Sequence, residues 1–268
     1  VAGLLAVSPR QTMVGVNLTL IVFYIAFSLY KLALINLSIV RKREEKVTTG
    51  ELAVLADADL PSYTILVPLY RETEVLPQVV SSLGALDYPR EKMEVLLLCE
   101  EDDGETLAAA RRLSPGPPFR VVVVPRSLPR TKPKACNLGL AEARGELLVI
   151  YDAEDMPETD QLKKAAAVFR RVPGDVVCLQ AKLNFYNQRQ NLIARWFTTE
   201  YSMWFDLYLP GLGAIDALIP LGGTSNHFRT AILRELGGWD PYNVTEDCDL
   251  GIRLHIRGRR TRVLDSTT

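Results

Sequence analysis

Two acids stand one residue apart, Asp152 and Glu154 in Tyr151-Asp-Ala-Glu-Asp-Met-Pro157, directly after the apolar run Leu147–Tyr151. A strand that releases carboxylates at i and i+2 can hold a hard divalent cation with oxygen ligands, and such an ion can also bridge phosphate oxygens. Asp155 follows at once: unbroken spacing favours Glu154 as the second ligand, and chemistry allows Asp155. Three further polar islands accompany this one. Pro68-Leu-Tyr70-Arg-Glu72 closes an apolar run with a ring and a carboxylate. Glu100-Glu-Asp102-Asp103-Gly104 sets four acids in a row, which repel unless a cation, a hydrogen-bond donor or a helix N-terminus relieves them. Thr245-Glu246-Asp247 opens a stretch of helical spacing. Between them lie a basic segment, Thr131-Lys132-Pro-Lys134, suited to a diphosphate, and Gly222-Gly223-Thr224-Ser225-Asn226-His227, where glycines let a backbone come close to a sugar or phosphate. Each island alone also has a plain reading: a charge at a helix N-terminus for Glu72 and for Glu246-Asp247, a solvated turn for 100–104, a solvated basic loop for 131–134. His227 as a base competes with the commoner hydrogen-bonded structural histidine.

The elements that must position these residues are short and alternate in type. Tyr63–Val67, Glu94–Cys99, Arg120–Val124, Leu147–Tyr151 and Val176–Leu179 are apolar runs of strand length. Between them, 74–86, 105–113 and 159–171 carry apolar residues at helical spacing; in the first of these Val75, Leu76, Val79, Val80, Leu83 and Leu86 share a face. Strands that are apolar throughout are covered on both faces, and alternation with helices predicts a mostly parallel sheet with crossover helices. Carboxylates at the ends of successive strands then converge on the crevice where such folds bind ligands.

Bulk properties narrow the class. With 268 residues and a net charge of −1 the chain has no basic stripe for nucleic acid, so a nucleic-acid partner is excluded. Four dispersed cysteines form no C-x-x-C pair and two histidines form no metal cluster. Residues 13–40, whose one charge is Lys31, form a largely apolar stretch long enough to cross a bilayer and end at Arg41-Lys-Arg43. That basic flank predicts a membrane helix, over about 12–40, with the following domain on the cytoplasmic side. Basic residues in place of a small-residue cleavage site argue against a signal peptide. The expected organisation is a membrane helix and flanks in 1–43, a polar linker in 44–62 and one catalytic domain in 63–268. The aromatic stretch 192–209 reads as an interfacial or a core helix. Gly211-Leu-Gly213 lacks the third glycine and the preceding strand of a dinucleotide loop.

The four islands in order resemble the family 2 glycosyltransferases, especially the polysaccharide-forming, cellulose-synthase-like membrane enzymes with a GT-A fold. The resemblance spans residues 63–268. It implies an inverting hexosyl transfer from a nucleotide-diphosphate sugar, UDP-linked, to a hydroxyl acceptor, carbohydrate or lipid-linked, at the cytoplasmic face of a cell membrane (the inner one, if bacterial). By this resemblance Pro68, Tyr70, Glu72, Asp102 and Asp103 hold the nucleoside, Lys134 the diphosphate, and Gly223, Thr224, Ser225 and Asn226 the acceptor side. Asp152 with Glu154 or Asp155 holds magnesium or manganese, and Asp247, beside Glu246, is the general base. Processive members carry Gln-x-x-Arg-Trp after the Thr-Glu-Asp motif, and this sequence ends without it. That departure implies a fragment or puts processivity in doubt; other synthase subunits are possible partners. A polyprenyl-phosphate glycosyltransferase and a sugar-nucleotide-binding scaffold without activity are the alternatives.

Overall fold

The computed structural model describes residues 8–41, 43–113 and 116–268. Lys42 of the basic flank and residues 1–7 of the expected membrane segment lie outside the described residues. Seven strands form one mixed sheet in the order β3-β2-β1-β4-β6-β5-β7. They are β1 (Tyr63–Leu69), β2 (Met93–Glu100), β3 (Phe119–Val124), β4 (Leu147–Ile150), β5 (Val176–Lys182), β6 (Asn226–Arg229) and β7 (Arg260–Thr267). β1 lies parallel to both β2 and β4, and β7 parallel to β5. The expected strands are present with ends shifted by a few residues, and the mostly parallel sheet is as the sequence predicts.

Alternation inside each strand feeds two cores. Ile65, Val67, Leu97 and Val149 point to one face, where helix Leu76–Gly84 and helix Gln161–Arg171 cover them. Leu66, Leu96, Leu98, Leu148 and Ile150 point to the other, beneath helix Lys132–Glu142 and helix Glu246–Ile256. The middles of β1, β2 and β4 are therefore covered by apolar side chains on both faces, which is why these strands read as nearly continuous hydrophobic runs. Of the face expected on the first of these helices, Leu76, Val79, Leu83 and Leu86 are buried, whereas Val75 and Val80 are only partly covered. In chain order the α-helices are α1 (Pro9–Arg41), α2 (Thr49–Ala53), α3 (Leu76–Gly84), α4 (Gly104–Leu113), α5 (Lys132–Glu142), α6 (Gln161–Arg171), α7 (Leu192–Ser202), α8 (Leu209–Gly213), α9 (Thr230–Glu235) and α10 (Glu246–Ile256).

Two features of topology aim at the site. β1 is followed in the sheet by β2 on one side and β4 on the other, so a crevice opens beyond the ends of β1 and β4. β6, which the sequence reading missed, runs antiparallel between β4 and β5. Its start therefore lies at the same edge as the ends of its neighbours, and the loop before it, 221–225, arrives beside the residues that leave β4. The Ser225 amide donates to the Ile150 carbonyl at 2.8 Å.

α1 has 33 residues, and among them only Leu34 and Ser38 are buried. From Met13 to Leu32 its large apolar side chains are exposed. Leu34 packs with Phe205, Leu209, Leu212, Ile219 and Val263, so the last turns of α1 dock on α8 and on the π-helical turn Met203–Tyr208. The segment 44–62 is ordered rather than a bare linker. Glu45 bridges to Leu264 of β7, and Thr48 caps α2 reciprocally with Glu51.

Candidate active site

A cavity of about 500 Å³ opens at the crevice beyond β1 and β4, lined by Pro68 at the end of β1 with Tyr70 and Glu72 after it, Glu100 at the end of β2 with Asp102 after it, Arg130, Thr131 and Lys132 at the start of α5, and Asp152 and Glu154 after β4. A second cavity of about 610 Å³ adjoins it and shares Asp152 and Glu154. Asp155, Phe185, Tyr186, Gln188, Tyr201, Gly223 and Thr224 line the second.

The acids after β4 part company. Asp152 pairs with the Lys132 ammonium, and Glu154 is exposed. Asp155 turns back into its own loop: its Oδ2 accepts the Asp152 amide at 2.7 Å and a bond from the Thr224 hydroxyl. Burial pushes the Asp155 carboxyl up to about 6, helped by the charges of Asp152 and Glu154 and opposed by those two hydrogen bonds. Among the described residues no three acidic, histidine or cysteine side chains cluster closely enough to enclose an ion by themselves. Asp152 and Glu154 line the same cavity wall and are oxygen donors of the type a hard divalent cation takes.

Lys132 joins three islands. Besides Asp152, its ammonium donates to the Gly223 carbonyl at 2.7 Å. Burial works against its charge, but Asp152, by charge and hydrogen bond, together with Cys136 and Glu246 more than offsets that, so its pKa lies above the usual lysine value. Lys134, the lysine expected at the phosphate, instead pairs with Glu100 at 2.9 Å and points to the Pro125 carbonyl. The two lysines differ because residues two apart on a helix are about 200° apart around it.

The second island divides in the same way. Asp102 reaches the cavity and pairs with Arg130 at 2.7 Å. Asp103 is buried and accepts from the Arg71 amide at 2.5 Å and the Thr106 amide at 3.2 Å, bracing the first loop against α4. Those hydrogen bonds outweigh the burial that opposes them and hold its carboxyl below the usual range. Glu72 is raised by partial burial and by the charges of Glu154, Asp103 and Asp152.

Glu246 and Asp247 form the first turn of α10, where negative charge suits the helix dipole. A Cβ added at Gly223 would lie 3.6 Å from Asp247 Oδ2 and 3.9 Å from Lys132 Nζ, so base candidate, lysine and glycine loop adjoin. Burial, then the charge of Asp247, raises the Glu246 carboxyl, with Lys132 opposing. Thr224 sits in the second cavity wall. Ser225 and Asn226 are buried behind it, Ser225 bonded to Thr268 at 2.6 Å and Asn226 to the Gly222 carbonyl at 2.5 Å. His227 lies wholly inside the sheet, 2.6 Å from the Tyr63 hydroxyl and 3.2 Å from Gln161 Oε1, and has no access to either cavity.

Arg130, Thr131 and Glu100 join the first cavity without having been singled out as contacts, although all three stand inside segments that drew attention. Phe185, Tyr186 and Gln188 carried no signal: they belong to an irregular stretch whose position depends on β5 and α7.

Residues 61–267 match the family model described as "Glycosyltransferase like family 2". The chain is 26% identical over 211 residues to a probable glycosyltransferase, YdaM, of Bacillus subtilis, covering 76% of this chain and 49% of that protein. It is 28% identical over 201 residues to a beta-monoglucosyldiacylglycerol synthase of Trichormus variabilis, covering 74% and 42%. The chain thus spans about half the length of these curated relatives. Among solved structures, the mannosyltransferase PcManGT of Pyrobaculum calidifontis, in complex with GDP-Man and Mn2+, superposes with a TM-score of 0.64 at 21% identity over 91% of this chain and 67% of that one. S. aureus TarS in complex with UDP-GlcNAc gives 0.57 at 19% identity over 77% and 58%. These two share the fold.

Proposed function

This chain belongs to the glycosyltransferase-like family 2, and on that premise we propose that it moves a hexosyl unit, with inversion, from a UDP-linked sugar to a hydroxyl acceptor. The reading extends to polysaccharide synthesis of the cellulose-synthase-like kind, at the cytoplasmic face of a membrane crossed by α1. What carries it is the meeting of Asp152, Lys132, Gly223 and Asp247 at the seam between two cavities. One cavity has the size and lining for a nucleotide, the other for an acceptor.

In this reading Tyr70, Glu72 and Asp102 surround the nucleoside, and Lys132 and Arg130 offset the diphosphate. When bound, magnesium or manganese held by Asp152 and Glu154 would take up diphosphate charge and so ease its departure. Asp247 accepts the acceptor hydroxyl proton as the new C1–O bond forms and the bond from C1 to the diphosphate oxygen breaks. Inversion follows from attack on the face opposite the leaving group. The nucleotide sugars and manganese in the structural neighbours support the donor class and the cation. A relative named for making a glucosyl diacylglycerol supports an acceptor at a membrane.

Asp247→Asn tests the assignment. It keeps the shape and removes the base, so donor affinity measured by calorimetry should stay within a few-fold. Transfer should fall by about 10²–10⁴. Unchanged transfer would refute the base, and loss of donor binding would move Asp247 to the nucleotide side.

A further inference from the structure

Helix α7 is an anomaly of packing. Asn191 caps it, accepting the Ala194 amide at 2.8 Å, yet none of its eleven residues is buried. Leu192, Ile193 and Trp196 are 60%, 62% and 66% exposed, and Phe197 is nearly half exposed. Positions i, i+1, i+4 and i+5 form one stripe, and Arg195 and Thr199 fall outside it. Short helices draw most of their stability from a packed apolar face, and here Leu192, Ile193 and Trp196 stay largely uncovered among the described residues, while Phe197 leans one side on Phe185.

Its continuity with α1 indicates what covers it. α7, the π-helical turn and α8 follow one another without a break from 192 to 213. The far end crosses α1 closely: a Cβ at Gly211 would stand 2.4 Å from the Leu34 carbonyl. On the N-terminal side of that crossing α1 carries its uncovered apolar length, Met13–Leu32. Between the crossing and α7 lie Trp204 and Tyr208, stacked at 4.8 Å, residue types favoured at a membrane–water boundary. We propose that α7 lies flat in the headgroup layer of the bilayer that α1 enters, with Leu192, Ile193, Trp196 and Phe197 inserted. Amphipathic helices of this kind sink about 5–10 Å into the boundary.

The surface is joined to the second cavity. Phe197 packs on Phe185 at 6.0 Å and Phe185 on Tyr201 at 4.7 Å, and both Phe185 and Tyr201 line that cavity. On the transferase reading above, on which this step rests, the cavity mouth stands at headgroup level. It then admits an amphiphile whose hydroxyl reaches Asp247 while its apolar tail stays in the lipid.

The test places an environment-sensitive bimane label on single cysteines at Ile193→Cys and Arg195→Cys, about 200° apart on the helix. The background is Cys248→Ser, because the other three cysteines are buried. The chain is reconstituted in phosphatidylcholine–phosphatidylglycerol vesicles, with a Val22→Cys label reporting insertion of α1. The label at 193 should lose most of its fluorescence to a shallow nitroxide lipid and little to aqueous iodide, and the label at 195 should do the reverse. Iodide quenching at 193 equal to that at 195 would put the stripe in water, and shielding from both quenchers would mean that protein covers it; either overturns the proposal. Donor binding, measured on the same samples, reports on the transferase reading separately.

Discussion

Lys132 is the residue on which the two halves of the site depend, because its ammonium touches the loop after β4 and the loop before β6 at once. Removing it leaves Asp152 near Glu246 and Asp247 without a cation between them. Lys132→Ala should weaken donor binding by about 1.5–3 kcal/mol, the range for hydrogen bonds to charged groups, or roughly tenfold to a hundredfold. Lys134→Ala should cost less, since that lysine is engaged with Glu100; calorimetric titration of both variants with donor decides the order. The pair also marks the limit of sequence reading at this scale. Asp152 was legible because a strand end hands it to a crevice whatever the helices do. Which lysine faces that crevice depends on the rotation of α5 about its axis, set by Leu140, Ala135 and Cys136 packing under Leu66 and Leu98. His227 is a second residue whose surroundings decide its role. Full burial lowers its pKa from 6.5 to about 3. The unfolded chain binds a proton below 6.5 and the folded one does not, so the stability His227 allows is complete above that pH and is lost on acidification towards 3. Up to about 1.4 kcal/mol per pH unit is at stake for one full proton. In urea titrations of detergent-solubilised protein, His227→Gln should be less stable than the parent at neutral pH, with a gap that narrows from pH 6 to pH 4. A constant gap would contradict the assignment.

At the scale of elements the decisive piece is β6, four residues long and antiparallel in an otherwise parallel neighbourhood. Asn-His-Phe-Arg has neither the length nor the apolar run that announces a strand, so sequence periodicity could not find it. The Gly-Gly-Thr-Ser loop was noticed for its composition, but its arrival beside Asp152 follows from the direction of β6 alone. β1, β2 and β4 were legible because both of their faces are buried, which leaves uninterrupted apolar runs. The orientation of α5 rests on a less visible joint. Asn137 Nδ2 donates to the Trp239 carbonyl at 2.7 Å, and the Trp239 amide returns a bond to Asn137 Oδ1 at 2.9 Å. Gly238, just before, has φ +70° and no room for a side chain: a Cβ would fall 2.2 Å from Asn137 Oδ1. Gly238→Ala should therefore cost more than the roughly 1–2 kcal/mol of a left-handed alanine, because it also breaks the Asn137 pair. It should lower the urea midpoint and weaken donor binding together, through displacement of Thr131 and Lys132 at the head of α5. A lowered midpoint with donor affinity intact would separate the joint from the site.

For the whole molecule the question is what fixes the sheet relative to α1, since on the proposed reading the height of the site above a membrane follows from it. The sequence offered 44–62 as a polar linker because its residues show no period, and period registers only elements that bury one face. Residues 44–46 are held by charge and by backbone pairing instead. The Glu45 amide donates to the Val263 carbonyl at 2.8 Å, and the Asp265 amide to the Glu45 carbonyl at 3.0 Å. Beside them Lys182, the last residue of β5 and only 10% exposed at its side chain, meets Glu44 at 2.7 Å, Asp206 at 3.0 Å and Asp265 at 2.6 Å. One ammonium thus ties the segment that follows α1, the π-helical turn, β5 and β7. Burial opposes its charge, but hydrogen bonds to Asp265, Glu44 and Asp206 prevail and raise its pKa. Lys46 reaches only two of the three acids, Glu44 at 2.8 Å and Asp265 at 3.3 Å, from a far more exposed position. Lys182→Met would leave three carboxylates around one peripheral cation. Breaking a fully buried charge cluster from one side costs about 3–5 kcal/mol; water at Asp206 and Asp265 makes the cost smaller here, and the least expensive relief is release of 44–46 from β7, since β5 itself is held by both neighbours. Limited trypsin digestion of the reconstituted protein should then cut between residues 41 and 46 many times faster in Lys182→Met than in the parent. The fragment carrying the sheet should still bind donor, and Lys182→Arg should restore protection. Equal cleavage rates in parent and variant would show that backbone pairing alone holds the joint, and the charge cluster would lose its role in orienting the domain.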